Sequence, residues 1–178
     1  MTRIPPKPPV LIPAIREDGA LYPVEKMEAH ERALRHQAVS VFVFRGGEML
    51  IQQRAEGKYH CGGLWANACC SHPHWGETHA AAAERRLGEE LGATLPLART
   101  ATVEYRADVG GGLTEHEEVV VFRGEAPDDW ALTPAAEEVQ AVRWAPVPRL
   151  MREAESDPGR FAPWFRIYLK RWVELKLG

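Results

Sequence analysis

Glu115 and Glu117 stand two apart, on either side of His116, at the entry to a stretch of strand-forming composition. Alternate strand residues face one side, so the two carboxylates point together. Three further histidines, His30, His36 and His72, offer imidazole nitrogen. A His/Glu set suits Zn²⁺, Mn²⁺ or Fe²⁺ better than Ca²⁺, which takes oxygen ligands. Taken singly, each His reads as structural or exposed, and the Glu pair as a charged strand edge. Two adjacent thiols, Cys69 and Cys70, belong to another short strand and so face opposite sides. One of them fits the usual fate of a free Cys, a small buried hydrophobe, and Cys69 fits it better. Four cations, Lys26, Arg54, Lys58 and Arg86, could hold an anion. Arg54 ends a strand and Lys58 lies in the next loop, a position suited to the mouth of a site.

These side chains need elements to position them. Residues 1–9 contain four prolines and read as a flexible tail, leaving 10–178 as one domain. Val10–Ile15 and Leu21–Val24 flank an Asp18-Gly19 turn, a hairpin signal, and Glu25–Arg35 has helical composition. Ala38–Phe44 and Glu48–Arg54 are strands about Gly46-Gly47, and Leu64–Cys70 is another. Residues 77–92 form the clearest helix, with Ala80, Ala83, Leu87 and Leu91 as its apolar stripe and Gly92 as its stop. Ala101–Ala107, Glu118–Phe122 and Val139–Trp144 read as strands, Val147–Glu155 and Phe161–Leu175 as helices. The expected class is α/β, in detail α+β: a mixed sheet covered by helices.

Composition narrows the function. Apolar residues make up 45% and charged residues 26%, with a net charge of -3 and no basic stripe, which argues against a nucleic-acid partner. No apolar run reaches the roughly 18 residues of a membrane span, and no signal-peptide stretch opens the chain. Three cysteines are no disulfide framework. A cytoplasmic protein with no obligate protein partner is the expectation. No Gly-rich dinucleotide motif is present, so no flavin is expected.

Read from Ser71, the chain runs through Glu77 to Arg85-Arg86-Leu87-Gly88-Glu89-Glu90-Leu91-Gly92-Ala93. This resembles the Nudix box, a loop–helix–loop that holds metal ions against a diphosphate. Ser71 stands where glycine is usual and Arg86 where a metal-binding glutamate is usual. Glu90 and Arg86, four apart, share one flank of the helix beside the apolar stripe. Hydrolysis wants clustered carboxylates to gather metals and activate water. A cation at residue 86 instead adds a diphosphate anchor.

Further ordered motifs resemble the type I isopentenyl-diphosphate isomerases, over about residues 10–170. They are Glu25-Lys26 through His36, Arg54 with Lys58, Trp65-Ala66-Asn67-Ala68-Cys69-Cys70-Ser71-His72-Pro73, Tyr105-Arg106-Ala107, Glu115-His116-Glu117 and Phe161-Ala162-Pro163-Trp164-Phe165. The resemblance implies a Nudix-like α/β/α sandwich acting on a small allylic or homoallylic diphosphate. It implies one Mn²⁺ or Zn²⁺ held by His30, His36, His72, Glu115 and Glu117. It implies a Mg²⁺ arriving with the diphosphate near Glu90 and the Cys70 carbonyl. Proton transfer would fall to Cys70 and Glu117, with Tyr105 beside Glu117 and Trp164 facing the cation. Lys26, Arg54, Lys58, Ser71 and Arg86 would bind the diphosphate. Two other readings stand beside it, a Nudix hydrolase kept alive by Glu77, Glu89 and Glu90, and a non-catalytic diphosphate-binding module.

Overall fold

The computed structural model describes residues 9–178, so the proline-rich tail, but for its last residue, lies outside the described residues. The elements run β1 (Leu11–Ile15), β2 (Leu21–Glu25), α1 (Lys26–Glu31), β3 (His36–Arg45), β4 (Glu48–Arg54), β5 (Trp65–Asn67), β6 (Cys69–Ser71) and α2 (His79–Leu91). They continue with β7 (Ala98–Gly110), β8 (Leu113–Glu125), β9 (Val139–Pro146), α3 (Val147–Ser156) and α4 (Pro163–Lys170).

β3 is the strand on which the others assemble. Its β-branched and aromatic residues suit a pleated surface buried on both sides. Val39, Val41 and Val43 pack in the cluster under α2, while Ala38, Phe42 and Phe44 join the opposite cluster with α4. β8 runs parallel along one edge, from His36 beside Glu117 to Phe44 beside Glu125. The other edge takes β6 antiparallel, with Ser40 beside Cys70. Beyond Gly46-Gly47, both at positive φ, the chain returns as β4, which carries β5 and β9. Helices thus cover both faces of a mixed sheet, the α+β architecture expected. Among the described residues, no helix is long and apolar enough to cross a membrane.

The structure corrects several sequence expectations, each for a local reason. α1 stops at Glu31 rather than Arg35, because Ala33 turns to φ +51°. The segment Leu64–Cys70 is two strands with different partners. Asn67 bridges the break, its Nδ2 donating to the carbonyls of Val41 and Cys69, both at 3.0 Å. Ala80 is exposed, and the buried stripe of α2 is Ala82, Ala83, Leu87 and Leu91, with Glu90. β7 and β8 outrun their expected lengths, so Glu115–Glu117 lies inside β8 rather than at its entry. The last helix begins only at Pro163, since Phe161 is paired with Trp65 in extended form and Pro suits a first helical turn. It ends at Lys170, and Trp172–Leu175 forms a separate 3₁₀ turn.

α2 starts on Thr78, whose hydroxyl accepts from the Ala81 amide at 3.2 Å, and ends on Gly92 at φ +65°. A side chain at residue 92 would meet the Thr133 carbonyl oxygen at 2.3 Å. Gly92→Ala therefore carries left-handed strain and a backbone clash. It should destabilise the fold by roughly 1–3 kcal/mol, read as a lower midpoint in urea with an unchanged slope.

Candidate active site

The sheet register collects the polar residues on one face. On β3 that face carries His36 and Ser40; parallel pairing brings Glu117 beside His36, and antiparallel pairing brings Cys70 beside Ser40. β7 adds Tyr105 opposite Glu117 and Ala107 opposite Glu115. Cys70 and Glu117 therefore arrive from opposite edges of β3. α1 supplies Lys26 and His30, four apart on one helical face. Its start is fixed by Glu25, whose carboxylate accepts from the Glu28 amide at 3.0 Å.

His30, His36, His72 and Glu117 are all buried, each with a ligand atom within 4.8 Å of the others. His30 Nδ1–H donates to the Lys26 carbonyl and His36 Nδ1–H to the Leu34 carbonyl, both at 2.7 Å. Each ring thus turns a bare Nε2 lone pair inward, the tautomer a metal ligand needs. His36 Nε2 lies 3.3 Å from His72 Nε2 and 3.4 Å from Glu117 Oε1. His30 Nε2 is buried without a hydrogen-bond partner. Electron pairs crowd a space that a divalent cation would satisfy, so the donor set fits one. Burial lowers His30 and pushes His72 down to about 3, which keeps those two rings neutral.

The two carboxylates differ. Tyr105 Oη lies 2.9 Å from Glu115 Oε2 and 2.7 Å from Glu117 Oε2. One hydroxyl has one proton, so both contacts are hydrogen bonds only if one carboxyl keeps its own. Burial and the neighbouring Glu117 charge push Glu115 well up, making it that carboxyl. Burial acts the same way on Glu117, but His72, whose Nε2–H donates to Glu117 Oε1 at 2.8 Å, and the adjoining His36 outweigh it and hold Glu117 ionised. Cys70 stays a neutral thiol. Burial raises it, against hydrogen bonds with Ser40 Oγ at 2.8 Å and Asn67 Oδ1 at 3.1 Å. Cys69 is fully buried under α2.

A cavity of about 30 Å³ is lined by Cys70, Glu115, Glu117, His72 and Trp164 together with Lys26, Arg54, Lys58, Ser71 and Arg86. Arg54 is buried with its guanidinium 5.1 Å from the centre of the Trp164 ring. Lys26 Nζ sits 4.5 Å over Tyr59; burial, then the neighbouring Lys58, lowers it to about 8. Glu90 lies outside the His/Glu groups. Its oxygens accept from Arg86 at 2.6 Å and Gln52 at 2.7 Å.

Sequence reading missed several residues here. His60 lines the cavity from the loop after β4, and His30, His60 and Glu115 form a second His/Glu group. Its loop offers no ligand spacing, and Glu115 is remote in the chain. Glu138 pairs with Lys58 and, at 3.2 Å, with Arg86. Only the β4–β9 pairing brings it there. Tyr168 reaches Ser40 Oγ at 2.9 Å from α4, and no short-range pattern marks that contact.

The NUDIX domain family model matches residues 34–165. An isopentenyl-diphosphate Delta-isomerase of Cereibacter sphaeroides is 56% identical over 171 residues, 96% of either chain. One from Jannaschia sp. is 52% identical over 159 residues, 89% of this chain and 90% of its own. A solved structure of DR0079 from Deinococcus radiodurans superposes with a TM-score of 0.72 at 14% identity, covering 90% of this chain and 98% of that one, a likeness of fold.

The buried histidines make the metal-free chain acid-sensitive. Burial pushes His60 down to about 2 and His72 to about 3, from an ordinary 6.5. Below about pH 6.5 the unfolded chain takes up protons that the folded rings refuse, so stability falls with falling pH. Urea midpoints of chelator-treated protein should drop between pH 7.5 and 5, by up to about 1.4 kcal/mol per pH unit for each ring. His72→Gln should flatten the profile; an unchanged slope in that variant would contradict the assignment.

Proposed function

We propose a reaction for this site from the premise that the chain belongs to the NUDIX family and, within it, to the isopentenyl-diphosphate Delta-isomerases: it interconverts isopentenyl and dimethylallyl diphosphate by moving one proton onto the alkene and another off. One observation carries the reading. A single cavity is lined at once by a neutral thiol, an ionised carboxylate, an indole and four cations.

An alkene is a weak base, and its protonation yields a tertiary carbocation. The reaction therefore needs one group that gives a proton, one that accepts a proton, and a wall that excludes water. Cys70 and Glu117, delivered from opposite edges of β3, fill the two proton-transfer roles. Tyr105 holds Glu117 in place and provides the nearest further proton. Trp164 closes the apolar side. Lys26, Arg54, Lys58, Ser71 and Arg86 face the diphosphate, and Arg86 replaces the carboxylate that hydrolysis would use. A Mn²⁺ or Zn²⁺ would be held by His30, His36, His72, Glu115 and Glu117, where it supplies charge that tunes the Glu117 carboxylate. A Mg²⁺ entering with the diphosphate would draw on Glu90 and the Cys70 carbonyl. Residues 10–178 act as one catalytic unit. Three free thiols accord with a reducing compartment, and the cytoplasm is the proposed location.

Isopentenyl diphosphate and Mg²⁺ given to the purified protein, followed by proton NMR, test the reaction. The expected product is the allylic diphosphate without phosphate release, retained in Cys69→Ala and abolished in Cys70→Ala. Released phosphate would select the hydrolase instead, and activity in Cys70→Ala would remove the thiol from the chemistry.

The indole generates a separate test. A desolvated cation gains about 2 kcal/mol or more from an indole face, whereas the neutral alkene gains only contact area. Such an interaction raises kcat more than it tightens binding. The expected order of kcat is wild type, Trp164→Phe, Trp164→Leu, with KM nearly constant. Full kcat in Trp164→Leu would reduce Trp164 to a packing residue.

A further inference from the structure

We propose that His60, with His30 and Glu115, forms a second divalent-cation position beside the first. The inference rests on the His/Glu centre being a metal site and adds to it a ligand from a different loop.

His60 is only 8% exposed, and neither of its ring nitrogens has a hydrogen-bond partner. Burying an imidazole with both nitrogens unpaired is costly, and such groups call for a ligand. The ring is nonetheless well placed. It packs edge-on against Tyr59 at 4.2 Å and Trp164 at 5.5 Å, and its own carbonyl accepts from Arg54 at 3.1 Å. His60 Nε2 lies 3.5 Å from Glu115 Oε1, and the ligand atoms of His30, His60 and Glu115 fall within 4.8 Å of one another. A modest contraction brings that spacing to the bond lengths of a small divalent ion. Two imidazoles and a carboxylate, Glu115 releasing its proton as the ion binds, are the donors of an open zinc site, with one coordination position left free.

His30 belongs to both groups but has one nitrogen to give, because its Nδ1–H is committed to the Lys26 carbonyl. The two positions compete for that nitrogen. The first set keeps His36, His72 and Glu117 when His30 and Glu115 are drawn to the second. The second set cannot be completed without His30 and has the Arg54 guanidinium beside it, 3.1 Å from the His60 carbonyl, so it is the weaker.

Metal-free wild type titrated with Zn²⁺ against a chromophoric chelator, and with Co²⁺ by visible absorption, tests this. One tight equivalent should be followed by a second that is weaker by at least about tenfold. His60→Gln should keep the tight equivalent within about threefold and lose both the second equivalent and the second Co²⁺ spectral phase. Wild type saturating at one equivalent, or a second equivalent persisting in His60→Gln, overturns the proposal. Absence of even a tight equivalent overturns the metal-centre reading on which it rests. Circular dichroism of the variant checks its folding, and the wild-type stoichiometry decides the matter if the variant fails.

Discussion

The parallel pairing of β3 with β8 is the constraint from which the site follows. It sets His36 beside Glu117 and leaves the other edge of β3 free for β6, hence for Cys70. Side chains alternate along a strand, so a register slip of one residue would send Glu117 to the α2 side and Val120 to the cavity side. Burial prevents that slip. Val119, Val120, Val121 and Phe122 are buried on both faces of β8, and their packing fixes the register that the polar residues use. Polar chemistry is thus held in place by apolar area.

Charge is balanced around the same frame. Lys26, Arg54, Lys58 and Arg86 converge on one small volume, and unpaired they would repel one another. Arg86 is held by Glu89, Glu90 and Glu138, and Lys58 by Glu138. Glu138 reaches the cations from the segment before β9 and satisfies the two that face the mouth. On the proposed function, a diphosphate entering there would exchange one set of oxygens for another, so the cations are positioned without first being stripped of partners.

Legibility from sequence followed the range of the interactions. The α2 helix, the hairpin turns and the two sides of Cys69-Cys70 depend on neighbours in sequence and were readable there. Ala80 was misplaced because a stripe of alanines fits two helical phases almost equally, and only the packing of Ala82 beneath the sheet chooses one. The break at Ala68 was invisible because Asn67 replaces ladder hydrogen bonds with side-chain ones. His60, Glu138 and Tyr168 carry no local signal, since each acquires its partner only when distant strands pair. The ordered motifs that resembled the isomerases were legible as a set, although no single histidine or glutamate among them was distinctive.

The cavity at the centre of the site, about 30 Å³, has room for about one water molecule. It is not sealed: it opens on one side and adjoins a larger pocket of about 340 Å³, with which it shares Lys26, Lys58, Tyr59, Ser71, His72 and Arg86. Tyr59 lines both: it packs on His60, carries Lys26 over its ring, and belongs to the glycine-containing loop between β4 and β5. Three cations, Lys26, Lys58 and Arg86, thus line both spaces, so positive charge runs unbroken from the outer pocket to the thiol and carboxylates within.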